Sequence, residues 1–203
     1  MQHLPPRPNK KKAPRSGFCL IIAIILFVLI VAAVLVGILF WPEVQQQSME
    51  LLHPLHFEEL IYRYSEERDL DPFLVMGVIR TESSFIPDAV SPMGARGLMQ
   101  IMPATAEWLA ERMGFSHHED DLFCPAYNIR MGTYYLRLLL NMFDVQDTAL
   151  AAYNAGMGNV RNWLEDPRYS DDGKTLHTIP FLETRNYVER VNRYMEIYRE
   201  LYS

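Results

Sequence analysis

Cysteine is scarce, with two in 203 residues, which excludes a disulfide scaffold. Acid is missing altogether from residues 1–41, where Arg7, Lys10, Lys11, Lys12 and Arg15 stand unopposed. Metal-binding patterns are missing too. The histidines His3, His53, His56, His117, His118 and His177 form no HExxH motif and no Cys/His set with zinc spacing, so neither a metal site nor a cofactor is expected. No segment reads as a strand, and no internal repeat is found. With hydrophobic types at 49% and charged types at 22%, the chain is not intrinsically disordered.

All 25 acids lie beyond Pro42, where 14 basic residues leave residues 42–203 at a net charge of −11. A body this acidic makes nucleic acid an unsuitable partner, because phosphate binding needs a basic surface that releases counterions.

The longest uncharged run is Phe18 to Trp41, 24 residues. As a helix it reaches roughly 35 Å, enough to cross a hydrocarbon core of ~30 Å. A cleaved signal peptide is the alternative, but its apolar core would be about 7 to 15 residues long and would end in a small-x-small site. This run is longer and ends bulky, in Phe40-Trp41-Pro42. The expectation is a basic cytoplasmic tail over 1–17, a single transmembrane helix over 18–41 and a short polar stalk over 42–54. By the positive-inside rule the N-terminus stays cytoplasmic and the body is exported beyond the cell membrane. Cys19 and Cys124 fall on opposite sides of that division. Cys124 reads as a small buried residue rather than a nucleophile, since no sequence cue marks a His partner.

Beyond Pro54 the periods are helical. Phe57, Leu60, Ile61 and Tyr64 mark an amphipathic helix ending near Asp69. Asp71-Pro72 supplies an N-cap and an N1 proline for a heavily buried helix that runs out near Ser84. Pro87, Ser91-Pro92 and Gly94 enforce a loop. Pro103 opens a helix to Met113 that Gly114 stops, and Glu119-Asp120-Asp121 reads as an acidic loop before a helix from about Pro125 to Phe143. Asp147 is expected to cap a shorter helix to Asn154. Gly156 and Gly158 interrupt it, Val160 to Leu164 allow another turn or two, and a last helix starts at Pro180 or Glu183. The body is therefore all-α.

Four ordered segments carry the chemistry. They are Glu82-Ser83-Ser84-Phe85, Gly97 to Ala106, Ala152-Tyr153-Asn154-Ala155-Gly156 and Glu183 to Val188. Each alone is an ordinary helix end or turn. Glu82 alone reads as a solvated last-turn residue, though a shielded carboxyl there would have a raised pKa and serve as a general acid. In this order and spacing they resemble the soluble lytic transglycosylase (SLT) family, over roughly Leu55 to Tyr202.

The resemblance implies a lysozyme-like, goose-type-like helical domain over 55–203 that cleaves the MurNAc–GlcNAc bond of peptidoglycan glycan strands. It implies that Glu82 is the single catalytic acid/base and that Tyr187 reaches it or the reacting sugar. It implies substrate contacts from Ser91, Gln100, Met102, Tyr153 and Asn154, the last offering both donors and an acceptor. Met99 reads as core, Tyr194 and Tyr198 as packing, and Glu183 with Arg185 as a structural ion pair. Ordinary glycosidases use two carboxylates. Asp88 is the nearest second candidate, in a Pro-Asp turn, and a hydrolytic muramidase using it stays open, as does a catalytically silent peptidoglycan-binding domain. If Glu82 acts alone, the product ends in 1,6-anhydro-MurNAc. The expected partners are peptidoglycan, the membrane through one helix, and envelope-machinery proteins that would supply targeting.

Overall fold

A computed structural model describes residues 16–203, so the basic cluster at Arg7 to Arg15 lies outside the described residues. The first helix, α1, is Ser16–Leu52. It contains an apolar stretch, Leu20–Trp41, with mean hydropathy 3.5, long and apolar enough to cross a membrane, and none of it is buried against protein. The helix continues through most of the segment expected as a stalk, where Gln46 Nε2 donates to Glu50 Oε1 at 3.0 Å. Contacts divide the chain between Leu52 and His53.

The second unit is helical, with α2 Glu58–Glu67, α3 Pro72–Ser83, α4 Pro103–Met113, α5 Pro125–Met142, α6 Gln146–Ala155, α7 Met157–Leu164 and α8 Leu182–Tyr202. Among the described residues there is no strand, only antiparallel bridges from Arg96 to Val90 and to Ile101 that fold the α3–α4 loop back on itself. The starts follow local chemistry. Asp71 accepts from Phe73 N at 3.0 Å and caps α3, while prolines open α3, α4 and α5 where no amide donor is needed. Gly114, at φ 76, ends α4.

The antiparallel pair α3 and α8 forms the spine of this unit. The start of α3 meets the end of α8 through the Asp71–Arg199 ion pair at 2.5 Å. Midway, Gly77 sits so close to Val191 O and the Met195 backbone that any side chain would collide. Leu74, Val75, Met76, Val78 and Ile79 of α3 are buried with Val191 and Tyr198 of α8, and α5 and α6 add Ile129, Met131, Leu136, Leu139 and Leu150. Burying each such side chain contributes roughly 1.5–3 kcal/mol.

Three local expectations are corrected. Asp147 does not cap α6, because Val145 occupies that position and the Asp147 carboxylate accepts from Asn192 Nδ2 of α8 at 2.8 Å. The acidic segment is a 3₁₀ turn, Glu119–Phe123, capped by the His118 side chain rather than left as a loop. Cys124 is exposed, not buried, because it occupies the position before α5 where the chain leaves that turn.

Candidate active site

Glu82 lies in the last turn of α3, and its setting comes from how that helix stops. Ser84 and Phe85 both adopt left-handed backbone, at φ 52 and φ 64. For side-chain-bearing residues this costs roughly 1–2 kcal/mol each. The cost is offset by burial of Phe85 against Tyr198 and His56, at ring separations of 5.8 and 5.9 Å. Ser83 Oγ bonds Ile79 O at 3.2 Å and Leu98 O at 2.8 Å, clamping the helix end to the following loop.

That loop is held by Asn128, which is fully buried on α5. Its Oδ1 accepts from Met99 N at 2.7 Å, and its Nδ2 donates to Arg96 O at 2.9 Å and to Leu122 O at 2.8 Å. Gly97, at φ 77, passes so near the Asn128 amide and Leu122 O that a Cβ would overlap both. Met99, expected in the core, is there.

The Glu82 pKa is raised to about 7, chiefly by burial and slightly by Glu183, against the opposing pull of the Tyr187 hydroxyl and Arg190. Part of the side chain still reaches solvent, so the carboxyl is shielded yet approachable. The antiparallel packing of α3 on α8 brings Tyr187 to it. Tyr187 is 2% exposed, and its hydroxyl makes no hydrogen bond of regular geometry to any described residue. Its ring lies parallel to that of Tyr153, with centroids 6.5 Å apart. Burial and then the Glu82 charge push both phenols well above their usual range. The Tyr153 hydroxyl donates to Met99 O at 2.8 Å, so it braces the loop rather than facing a ligand.

Beside this cluster is a cleft of about 230 Å³ that Gln100, Met102, Tyr153 and Asn154 line together with Tyr135. Gln100 has left-handed backbone, and its amide donates to Ala89 O at 3.0 Å and Gly97 O at 2.8 Å, leaving only its carbonyl to the cleft. Met102, 39% exposed, forms an apolar wall. Asn154 Oδ1 accepts from Thr184 Oγ1 at 2.8 Å, so one of its two lone pairs is already used and the orientation of the amide is set. Glu82 and Tyr187 do not line this cleft but join it through Tyr153. Ser91 is apart from it, in a turn where its Oγ accepts from Ala95 N at 3.0 Å. A larger opening of about 750 Å³ lies across the first turn of α4, lined by Arg96, Glu107, His117 and Asp120 and by no residue of the Glu82 cluster.

Asp88 is exposed in its loop, and Glu183 is exposed in the first turn of α8. Arg185 does not pair with Glu183. It donates instead to Ile179 O at 2.9 Å. Among the described residues no group of three His, Cys, Asp or Glu side chains is placed to hold a metal ion. Sequence reasoning passed over Tyr135, Asn128 and Thr184. Tyr135 shares the buried face of α5 with Gly132, Leu136 and Leu139, a periodicity that could have marked it, and Thr184 stands inside a segment already singled out.

Residues 59–175 match the family model described as the transglycosylase SLT domain. The soluble lytic murein transglycosylase of Salmonella typhimurium is 38% identical over 155 residues, which cover 74% of this chain and 24% of that protein. The membrane-bound lytic murein transglycosylase C of Edwardsiella ictaluri is 31% identical over 170 residues, covering 70% of this chain and 46% of that protein. The solved structure of an inactive mutant of the lytic transglycosylase Slt from Pseudomonas aeruginosa superposes with TM-score 0.67 at 36% identity, over 75% of this chain and 25% of that one. The chain thus spans about a quarter of the length of the Salmonella typhimurium and Pseudomonas aeruginosa proteins and just under half of the Edwardsiella ictaluri one.

Proposed function

The chain belongs to the transglycosylase SLT domain family, and from that premise we propose that it is a membrane-anchored lytic transglycosylase. It cleaves the β-1,4 bond between MurNAc and GlcNAc without consuming water and leaves 1,6-anhydro-MurNAc ends. The observation that carries this reading is Glu82, a shielded carboxyl with a pKa of about 7 beside the buried hydroxyl of Tyr187. A group poised near neutrality can donate a proton and take one back in a single turnover.

In the first step Glu82 gives its proton to the bridging oxygen as the C1–O4 bond breaks, and the acetamido oxygen of the same muramyl residue closes on C1. In the second step the Glu82 carboxylate takes the proton of the C6 hydroxyl as that oxygen bonds C1 and displaces the acetamido oxygen. The protonated acid is restored, and no water enters. Tethering gives the hydroxyl an effective concentration that can reach ~10⁵ M or more. Tyr187 would hold Glu82 and the reacting sugar. Gln100, Met102, Tyr153 and Asn154 would bound the sugar subsite, Tyr153 through its ring, and Ser91 would act through the loop it shapes or through its free hydroxyl proton.

The relative named as membrane-bound and the apolar helix α1 support membrane association. The proposed topology keeps the basic tail of residues 1–17 in the cytoplasm, spans the membrane once over 18–41 and exports a catalytic domain over 55–203, where proteins of the envelope machinery could direct it.

A hydrolytic reading would need Asp88 to position water, and that carboxyl is exposed in its loop. Digestion of sacculi in heavy-oxygen water separates the two readings. The expected products end in unlabelled 1,6-anhydro-MurNAc, each lighter by one water than a muramidase product. Predominant incorporation of label would make the protein a hydrolase.

A further inference from the structure

We infer that Thr184 is a positioning residue, whose hydroxyl fixes the orientation of the Asn154 amide so that its NH₂ group is left to donate to the substrate. The inference rests on the reading of the cleft as a sugar subsite.

Thr184 and Tyr187 stand three residues apart on α8, so they share one face of the helix. That face meets the end of α6, where Tyr153 and Asn154 are consecutive. Tyr187 takes the Tyr153 ring, and Thr184 takes the Asn154 amide. Thr184 is 2% exposed, and its Oγ1 lies 2.8 Å from Asn154 Oδ1. An amide oxygen only accepts, so the hydroxyl donates. Reversing the amide would turn its NH₂ toward Thr184 and leave the buried hydroxyl proton without this acceptor, an unmade bond that folding penalises.

Asn154 therefore has its oxygen turned to Thr184 through one of its two lone pairs, and both protons of Nδ2 remain for the cleft it lines. The group it recognises must be an acceptor oxygen, which on an N-acetylated amino sugar is most directly the acetamido carbonyl. Gln100 is committed in the opposite sense, with both its donor contacts inside the loop and its carbonyl left over. The two amides thus present one donor and one acceptor to a ligand that carries both, as an acetamido group does.

The test is a double-mutant cycle on the full chain in detergent, read as kcat/KM for glycan-strand cleavage and, separately, as Kd for the trimer of N-acetylglucosamine. Thr184→Val keeps the shape and removes the donor. It is expected to weaken both readouts about tenfold, within the range of coupling between touching residues, and Thr184→Ser should restore them to within about twofold. In an Asn154→Ala background, Thr184→Val should cost less than about twofold, because no amide is left to orient. An equal loss in both backgrounds, no loss in the first, or no recovery with serine would overturn the inference. If the unaltered protein binds the trimer but its products carry water, the proposed reaction fails while the binding arm still decides on Thr184. If the unaltered protein does not bind the trimer, both fall.

Discussion

Glu82 is held between two opposing influences. Burial favours its neutral form, and Tyr187 and Arg190 favour its charge, with burial prevailing. Its folded pKa of about 7 lies above the 4.5 of an ordinary glutamate. The linked stability is therefore fully present below about pH 4.5 and is lost as pH rises through 7, when the native state must carry a shielded charge. Glu82→Gln should lower turnover by at least ~10²-fold with folding intact. The same variant should be more stable than the unaltered protein near pH 9, by on the order of 3 kcal/mol and seen as a higher melting temperature, and should match it near pH 4. Thermal melts at the two pH values check this, and equal differences at both would contradict the shift. As the proposed general acid, Glu82 must start protonated, so kcat/KM should fall as pH rises through about 7 in a pH–rate profile. Asp88→Asn should be mild, since that carboxyl is exposed in its loop; a loss equal to that of Glu82→Gln would favour the hydrolase.

Between elements, the decisive joint is the folded-back loop from Phe85 to Met102. Its left-handed turns, at Phe85, Gly97 and Gln100, persist because Ser83 and Asn128 bind its carbonyls and amide from the two sides. Asn128→Ala removes three hydrogen bonds, two of them fully buried, and leaves their backbone partners bare, which should cost about 3 kcal/mol or more. Chemical denaturation would show it as a lower midpoint at similar slope. Turnover should fall as well, because Gln100 and Met102 ride on that loop. A variant with an unchanged midpoint would mean that the loop holds itself.

For the molecule as a whole, α1 displays its large apolar side chains without cover, from Leu20 at 63% exposed to Trp41 at 66%, and lipid is the solvent that suits them. Protease added to intact protoplasts should shave off the second unit, whereas cleavage that needs lysis would reverse the proposed topology. By itself the sequence determined what local rules decide within a few turns. The 24-residue uncharged run fixed the apolar helix. Asp71, Pro72, Pro103 and Gly114 fixed helix ends to within a residue, because caps and prolines act on their own backbone. The four ordered segments contain Glu82, Tyr153, Asn154 and Tyr187, which the fold brings near one another. Tertiary structure decided the rest. Asp147 gave up a cap for Asn192, 45 positions away, and Cys124 ended on the surface. The donors of Gln100 and one lone pair of the Asn154 oxygen were spent on neighbours rather than on the cleft. A side chain's type is written in the chain, but the partner that claims its lone pairs is set by packing between elements 30 or more residues apart, as Thr184 and Asn154 are, which no local period records.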